Sequence, residues 1–263
     1  MAQSDSAHAS KKKKGNPNWR KSQGGRTSIE SGDSGVFVTC DIGKEGKCIA
    51  ETLDLFSQSL EAAGSGENEQ EASPDEDDIE AQIKREVEGL KPGSDKSRQF
   101  QAVRMDIPCV IFVRLDKSID PVQLVHQLCI DAQAHPETKR SRWIKRMTPA
   151  TSIRKTLSVD LEALAREMLH PHFHSGGPSK KYAIRPSVRG NDKFHRDSII
   201  QTVAGVVGPE HRVDLKNYDA VILVDVIQNV IGITVLGSDY DQLKRFNLAE
   251  LYKPASEPQA AGS

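Results

Sequence analysis

The run from Tyr182 to Gly208, YAIRPSVRGNDKFHRDSIIQTVAGVVG, limits the fold more than any other stretch. Its first half alternates. Tyr182, Ile184, Pro186 and Val188 fall on one face of an extended segment, and Ala183, Arg185, Ser187 and Arg189 fall on the other. Gly190-Asn191-Asp192 supplies a turn. Ile199, Ile200, Val203, Ala204, Val206 and Val207 then recur at helical spacing up to Gly208. A strand therefore feeds a helix through a loop bearing Arg189, Lys193 and Arg196, an arrangement suited to phosphate. Pro186 lacks the donor that a central strand needs, which predicts a strand at an edge or beside a bulge; an edge also leaves room for a ligand.

The rest of the chain supplies partners for that unit. GVFVTCD from Gly35 predicts a strand, and Thr52, Leu53, Phe56 and Leu60 a helix. Ile79, Ile83, Val87 and Leu90 predict a second helix, and Phe100–Met105 and Cys109–Arg114 two strands. Asp120-Pro121 opens a helix with the stripe Leu124, Val125, Leu128, Cys129 and Ala132. Ser141–Thr148 reads as a strand with Arg142 and Arg146 on one face. Another helix follows Ser158 as N-cap. Ala220–Ile227 and Val230–Leu236 read as buried strands, because Asp225, Gln228 and Asn229 interrupt what would otherwise approach a membrane span. The fold class is α+β.

Charge is segregated. Residues 1–27 hold seven Lys or Arg against Asp5, and residues 61–88 hold eleven acids against Lys84 and Arg85. Residues 101–253 hold 22 basic and 17 acidic side chains, a surplus of five, within a chain whose net charge is −1. Residues 1–34 read as a disordered basic tail, 63–78 as an acidic insert and 254–263 as a second tail. The sharpest signal in the folded part is KRSRWIKRMTPATSIRK, residues 139–155, with seven basic residues and no acid. Such a run favours nucleic acid.

Catalytic and metal signatures do not hold up. IGKEGKC sits where a phosphate loop would, but Asp41 and Cys48 replace the glycine and hydroxyl that the loop requires. His170, His172 and His174 read as the polar end of a helix, with Pro171 enforcing extended geometry, since no thiol or carboxylate pair accompanies them. Cys40, Cys48, Cys109 and Cys129 form no CxxC pair and predict buried, reduced thiols in an intracellular compartment. No apolar leader opens the chain. No cofactor, metal or membrane partner is expected.

The segments CDIGKEGKC, DIPCVIFVR, RWIKRMTPAT, YAIRPSVRGNDKFHRDSII and HRVDLKNYDAVILVDVIQNVIGITVL resemble the eukaryotic THUMP-domain proteins that assist cytidine acetylation in tRNA. The resemblance implies a ferredoxin-like N-terminal region over 35–117 and a THUMP domain over 118–253. It implies an adaptor that presents serine and leucine tRNAs to a separate RNA cytidine acetyltransferase, yielding 4-acetylcytidine, and residence in the nucleus or nucleolus, with the cytoplasm as a further compartment. The matching RNA-contact candidates are Arg142, Lys145, Arg146, Arg185, Arg189, Asn191 and Lys193. The chain closes soon after the THUMP-like strands, without room for the catalytic domains that other THUMP proteins carry. Two competing readings stay open. One is a tRNA-modifying enzyme relying on Asp41, Glu45 or the histidines; the other is a scaffold whose basic face binds an acidic protein.

Overall fold

A computed structural model describes residues 28–65 and 99–253. The helix expected over 79–90, most of the basic tail and the acidic insert, and residues 254–263 lie outside the described residues.

The first layer is built by β1 (Gly35–Thr39), α1 (Glu45–Ser65), β2 (Phe100–Arg104), β3 (Val110–Leu115), α2 (Pro121–Ala134) and β4 (Met147–Ala150). Its sheet is antiparallel in the order β2-β3-β1-β4, the ferredoxin-like arrangement. Period-two alternation explains its two faces. Val36, Val38, Ile111 and Val113 point to α1 and α2, where Phe56, Leu128 and Cys129 meet them. Phe37, Val110 and Phe112 point the other way. Each such fully buried large side chain contributes roughly 1.5–3 kcal/mol. Only glycine fits at position 35, because a Cβ there would meet the Val113 carbonyl oxygen at 2.2 Å.

The second layer comprises β5 (Ile153–Lys155), α3 (Leu161–Phe173), β6 (Lys181–Arg189), α4 (Arg196–Val207), β7 (Arg212–Val213), β8 (Ala220–Ile227) and β9 (Val230–Gly237). Strand order is β5-β9-β8-β6-β7, with β6 parallel to both β8 and β7. The helices cover one face through Leu164, Leu169, Ile199 and Val203, against Tyr182, Ile222, Val224 and Ile231. On the other face Ala183, Val221, Leu223 and Leu236 join the core of the first layer. The chain then returns through Tyr240 and Phe246 to α5 (Leu248–Leu251), which lies against α2.

Several expectations need correction. The ferredoxin-like sheet takes its last helix and strand from beyond residue 117, and the chain passes between the sheets at 151–152. Ser28–Ser34 are an ordered strap, not tail. Ile29 is buried, Gly32 N–H donates to the Ile153 carbonyl (2.8 Å) and Ile153 N–H to that of Asp33 (3.0 Å), so the strap covers the edge of β5. Helix α1 runs into the stretch read as linker, ending at Ser65. Asp160, not Ser158, caps α3, accepting from the N–H groups of Glu162 (3.0 Å) and Ala163 (3.4 Å). Pro171 lies inside α3, which continues until His174 N–H reaches the His170 carbonyl at 2.9 Å. The thiols of Cys40, Cys48, Cys109 and Cys129 are free, and burial pushes those of Cys48 and Cys129 up to about 12.

Candidate functional site

Strand β6 carries the site because one of its edges is open. Strand β8 pairs with it from Tyr182 to Arg189, whereas β7 reaches only Lys181 and Tyr182. Pro186 thus sits where no donor is missed, as its ring chemistry predicts. The alternation holds: Tyr182, Ile184 and Val188 pack toward α3 and α4, while Arg185, Ser187 and Arg189 face the first layer.

Across from them lies Arg146, and between the layers opens a cleft of about 280 Å³. Arg146, Arg185, Arg189, Arg196 and Arg245 line it, together with Asp225 and Tyr240. The Nε–H donors of Arg146 and Arg185 are buried without a hydrogen-bond partner among the described residues. A buried, unmatched donor on a charged group costs on the order of 1–3 kcal/mol or more, so both atoms favour an incoming acceptor. The planar fork of arginine suits phosphate oxygens.

The cleft also holds acids, which set its electrostatics. Asp225 replaces an apolar residue between Leu223 and Ile227 on the cleft face of β8. Burial pushes its carboxyl up to about 6, although the Ser187 hydroxyl and the charges of Arg189 and Arg146 pull it down. Asp241 accepts from Arg185 Nη2 (3.0 Å), Arg245 Nε (2.7 Å) and the Tyr218 hydroxyl (2.9 Å). Burial raises the Asp241 carboxyl, but the bonds from Arg245 and Tyr218 and the charge of Arg185 bring it below its usual value. Burial, then the Asp241 carboxylate, push the Tyr218 hydroxyl up to about 12.

Of the sequence candidates, Arg146, Arg185 and Arg189 converge on the cleft. Arg142 does not share a strand face with Arg146. Its segment is no strand, because Ser141 Oγ and the N–H groups of Arg142, Trp143 and Ile144 all donate to Glu51 Oε1 at 2.8–3.2 Å. Arg142 instead lies 4.9 Å from the centre of the Trp143 ring. Lys145 is paired with Asp41, whose carboxylate raises the pKa of that ammonium. Asn191 organises the turn after β6: its amide donates to the Gln228 carbonyl (2.6 Å), and its Oδ1 accepts from the N–H groups of Lys193 (2.9 Å) and Phe194 (3.1 Å). Gly190 enters that turn with φ +60°, which glycine adopts freely. Lys193 Nζ donates to the Thr156 carbonyl at 2.7 Å. Asn191 and Lys193 thus shape the loop, while Arg189 and Arg196 border the hollow beside it. Asp225, Tyr240 and Arg245 escaped the sequence reading; only the lone acid within the β8 run offered a signal.

Among the described residues no cluster of His, Cys, Asp and Glu could hold a metal ion, and no helix is long and apolar enough to cross a membrane. His174 Nε2 lies 3.0 Å from the Val206 carbonyl, and His211 bridges the Phe173 carbonyl and Lys180 N–H.

Residues 158–236 match the THUMP domain. The chain is 32% identical over 248 residues to THUMP domain-containing protein 1 of Mus musculus, covering 90% of this chain and 69% of that one. It belongs to the eukaryotic THUMP-domain protein family. Within that family it is 36% identical over 231 residues to an uncharacterized protein of Schizosaccharomyces pombe, covering 87% of this chain and 79% of that one. It is 30% identical over 250 residues to the tRNA acetyltransferase TAN1 of Saccharomyces cerevisiae, covering 86% of each. The THUMP match spans α3 to β9, and thereby includes Arg185, Arg189, Arg196 and Asp225, while Arg146 and Arg245 reach the cleft from outside it.

Proposed function

We propose that this protein is a noncatalytic tRNA-binding adaptor for a separate RNA cytidine acetyltransferase, acting in the formation of 4-acetylcytidine in serine and leucine tRNAs. The observation that carries the reading is the convergence of Arg146, Arg185 and Arg189 on one cleft, with two buried guanidinium donors that have no partner among the described residues. Family membership supports tRNA modification as the setting. Arg146 and Arg185 are the inner phosphate contacts; Arg189 and Arg196 extend the track along the rim of the open sheet edge. Arg142 and Lys145 contribute from the neighbouring basic segment, Lys145 once RNA competes with Asp41. Asn191 and Lys193 hold the loop that presents Arg189. The adaptor works in the nucleus or nucleolus.

The test is tRNA titration at several salt concentrations. Wild-type affinity falls steeply with salt, with a log–log slope of about −0.7 to −0.9 per phosphate neutralised. Replacing Arg146, Arg185 and Arg189 together by Ala removes about three such increments. Unchanged affinity and slope in that variant would sink the reading.

A second reading follows from the Saccharomyces cerevisiae relative, which is named a tRNA acetyltransferase. Under it this chain would modify tRNA itself. Asp41 is paired with Lys145, and Glu45 Oε1 accepts from Cys109 N–H at 2.9 Å, which gives both carboxylates positions in the fold without chemistry. Incubating the purified chain with unmodified tRNA and acetyl-CoA, followed by nucleoside mass spectrometry, separates the readings. The adaptor yields no acetylated cytidine alone.

A further inference from the structure

The cleft does not account for a second concentration of positive charge on the first layer. Lys44 Nζ, Lys47 Nζ and the Arg142 guanidinium carbon lie 5.3, 5.0 and 4.9 Å from one point, the centre of the Trp143 ring. Their nearness to the indole face offsets part of their mutual repulsion, but none of the three forms an ion pair among the described residues. Three unneutralised cations around one ring are best relieved by a polyanion.

The ring is rigidly presented. Four donors from Ser141 to Ile144 converge on the Glu51 carboxylate, fixing the backbone on both sides of Trp143, and the indole rests on the core of the first layer. This small loop thus uses an internal carboxylate to occupy its backbone donors, leaving side-chain cations outward for a ligand. Arg146, three residues on and so no more than about 11 Å of extended chain away, lines the cleft.

The geometry points to a single-stranded RNA contact at Trp143. One nucleobase stacks on the indole while Lys44, Lys47 and Arg142 hold the flanking phosphates, a combination that nucleic-acid grooves use without sequence preference. The inference rests on the tRNA-binding reading and extends the RNA path beyond the cleft to residues outside the THUMP match. Lys44 and Lys47 supply phosphate contacts, and Trp143 supplies the stacking surface.

The chain has two tryptophans, Trp19 and Trp143, so Trp19→Phe leaves Trp143 as the sole indole reporter. Titrating that full-length variant with tRNA should quench Trp143 emission, saturating at the same midpoint as binding measured by filter retention. Trp143→Ala loses about tenfold in affinity, the scale of one stacked base. Lys44→Ala with Lys47→Ala, at two side chains outside the core, lowers the salt slope by about 1.5. Circular-dichroism melting checks that each variant is folded. Constant Trp143 emission at saturating tRNA, with unchanged slope in the lysine variant, overturns the inference. If the three-arginine variant has meanwhile lost binding, the adaptor reading survives that failure. If the lysine variant keeps tRNA but no longer retains the acetyltransferase, the patch binds an acidic protein and the inference is wrong. If neither variant alters tRNA binding, both readings fall.

Discussion

Arg185 Nη2 and Asp241 Oδ2 meet at 3.0 Å, joining the open edge of the second sheet to the turn by which the chain returns to the first layer. The same carboxylate takes Arg245 Nε at 2.7 Å. Asp241 therefore competes with any phosphate that enters the cleft. Both side chains of the Arg185 pair are about a third exposed, so the pair contributes on the order of 0–1 kcal/mol to stability. Asp241→Asn should raise tRNA affinity severalfold in a titration at fixed salt, with little change in melting temperature. A fall in affinity would instead assign Asp241 the job of fixing the arginines in place.

Asp225 makes binding depend on pH. Its folded pKa, raised by burial to about 6, lies above the unfolded value of about 3.9. The associated stability is fully present below the unfolded value and is lost as pH rises through about 6. For RNA the consequence has the same direction, because protonation removes a negative charge from beside Arg146 and Arg189. Affinity for tRNA should increase as pH falls from about 7.5 to about 5.5. Asp225→Asn isolates the carboxylate: it should bind more tightly at pH 7.5 and show a flatter pH profile. An unchanged profile would show that Asp225 does not set the pH dependence.

How much of this was legible depended on the reach of each signal. Local periodicity was enough for β6, α4, β8 and β9, since alternation and helical spacing report which face is buried within one element. Pro186 pointed to an edge or a bulge, and the strand has the open edge. The failures concern partners distant in sequence. Residues 142–144 have strand-like composition, yet Glu51, some ninety positions earlier, draws their N–H groups away from a ladder. Ser28–Ser34 have tail-like composition, yet the unpaired edge of β5 recruits their backbone. Arg245 reaches the cleft from a 3-10 turn with left-handed backbone that no pattern announces. Asp225 interrupts the apolar β8 run, but an interruption by itself does not say that the strand faces a cleft.

The strap supplies a stability test. Asp33 Oδ2 accepts from Arg114 Nε (2.9 Å) and from Glu30 N–H (2.8 Å), and both partners of the ion pair are largely buried, at 13% and 9% exposure. Without Asp33, Arg114 keeps its bonds to Gln101 Oε1 and the Ser28 carbonyl, so losing the pair costs about 2 kcal/mol. Asp33→Ala should therefore lower unfolding free energy by about that amount in urea titration. It should also loosen Ile29 from the junction between the sheets, so amide exchange at Ile153 should accelerate. Melting unchanged within about 0.5 kcal/mol would show that the strap is dispensable.

Glu51 links fold to RNA contact. Its Oε1 accepts from Ser141 Oγ at 2.8 Å and from three successive N–H groups at 2.9–3.2 Å, so it substitutes for the strand partner this segment lacks. Glu51→Ala leaves those donors without an acceptor. Part of the segment is exposed, so water recovers some of them, and the net loss should be about 2 kcal/mol. Glu51→Gln keeps an acceptor oxygen but loses the charge, and should fall between wild type and Ala. If Trp143 depends on this anchoring for presentation, both variants should bind tRNA more weakly at temperatures where they remain folded, with Ala the weaker. The comparison is made by calorimetric titration at about 15 °C beside the Trp143 emission spectrum, which should shift to the red as the indole gains water. Wild-type affinity in a Glu51→Ala protein with a red-shifted Trp143 would separate the anchoring of this loop from RNA binding.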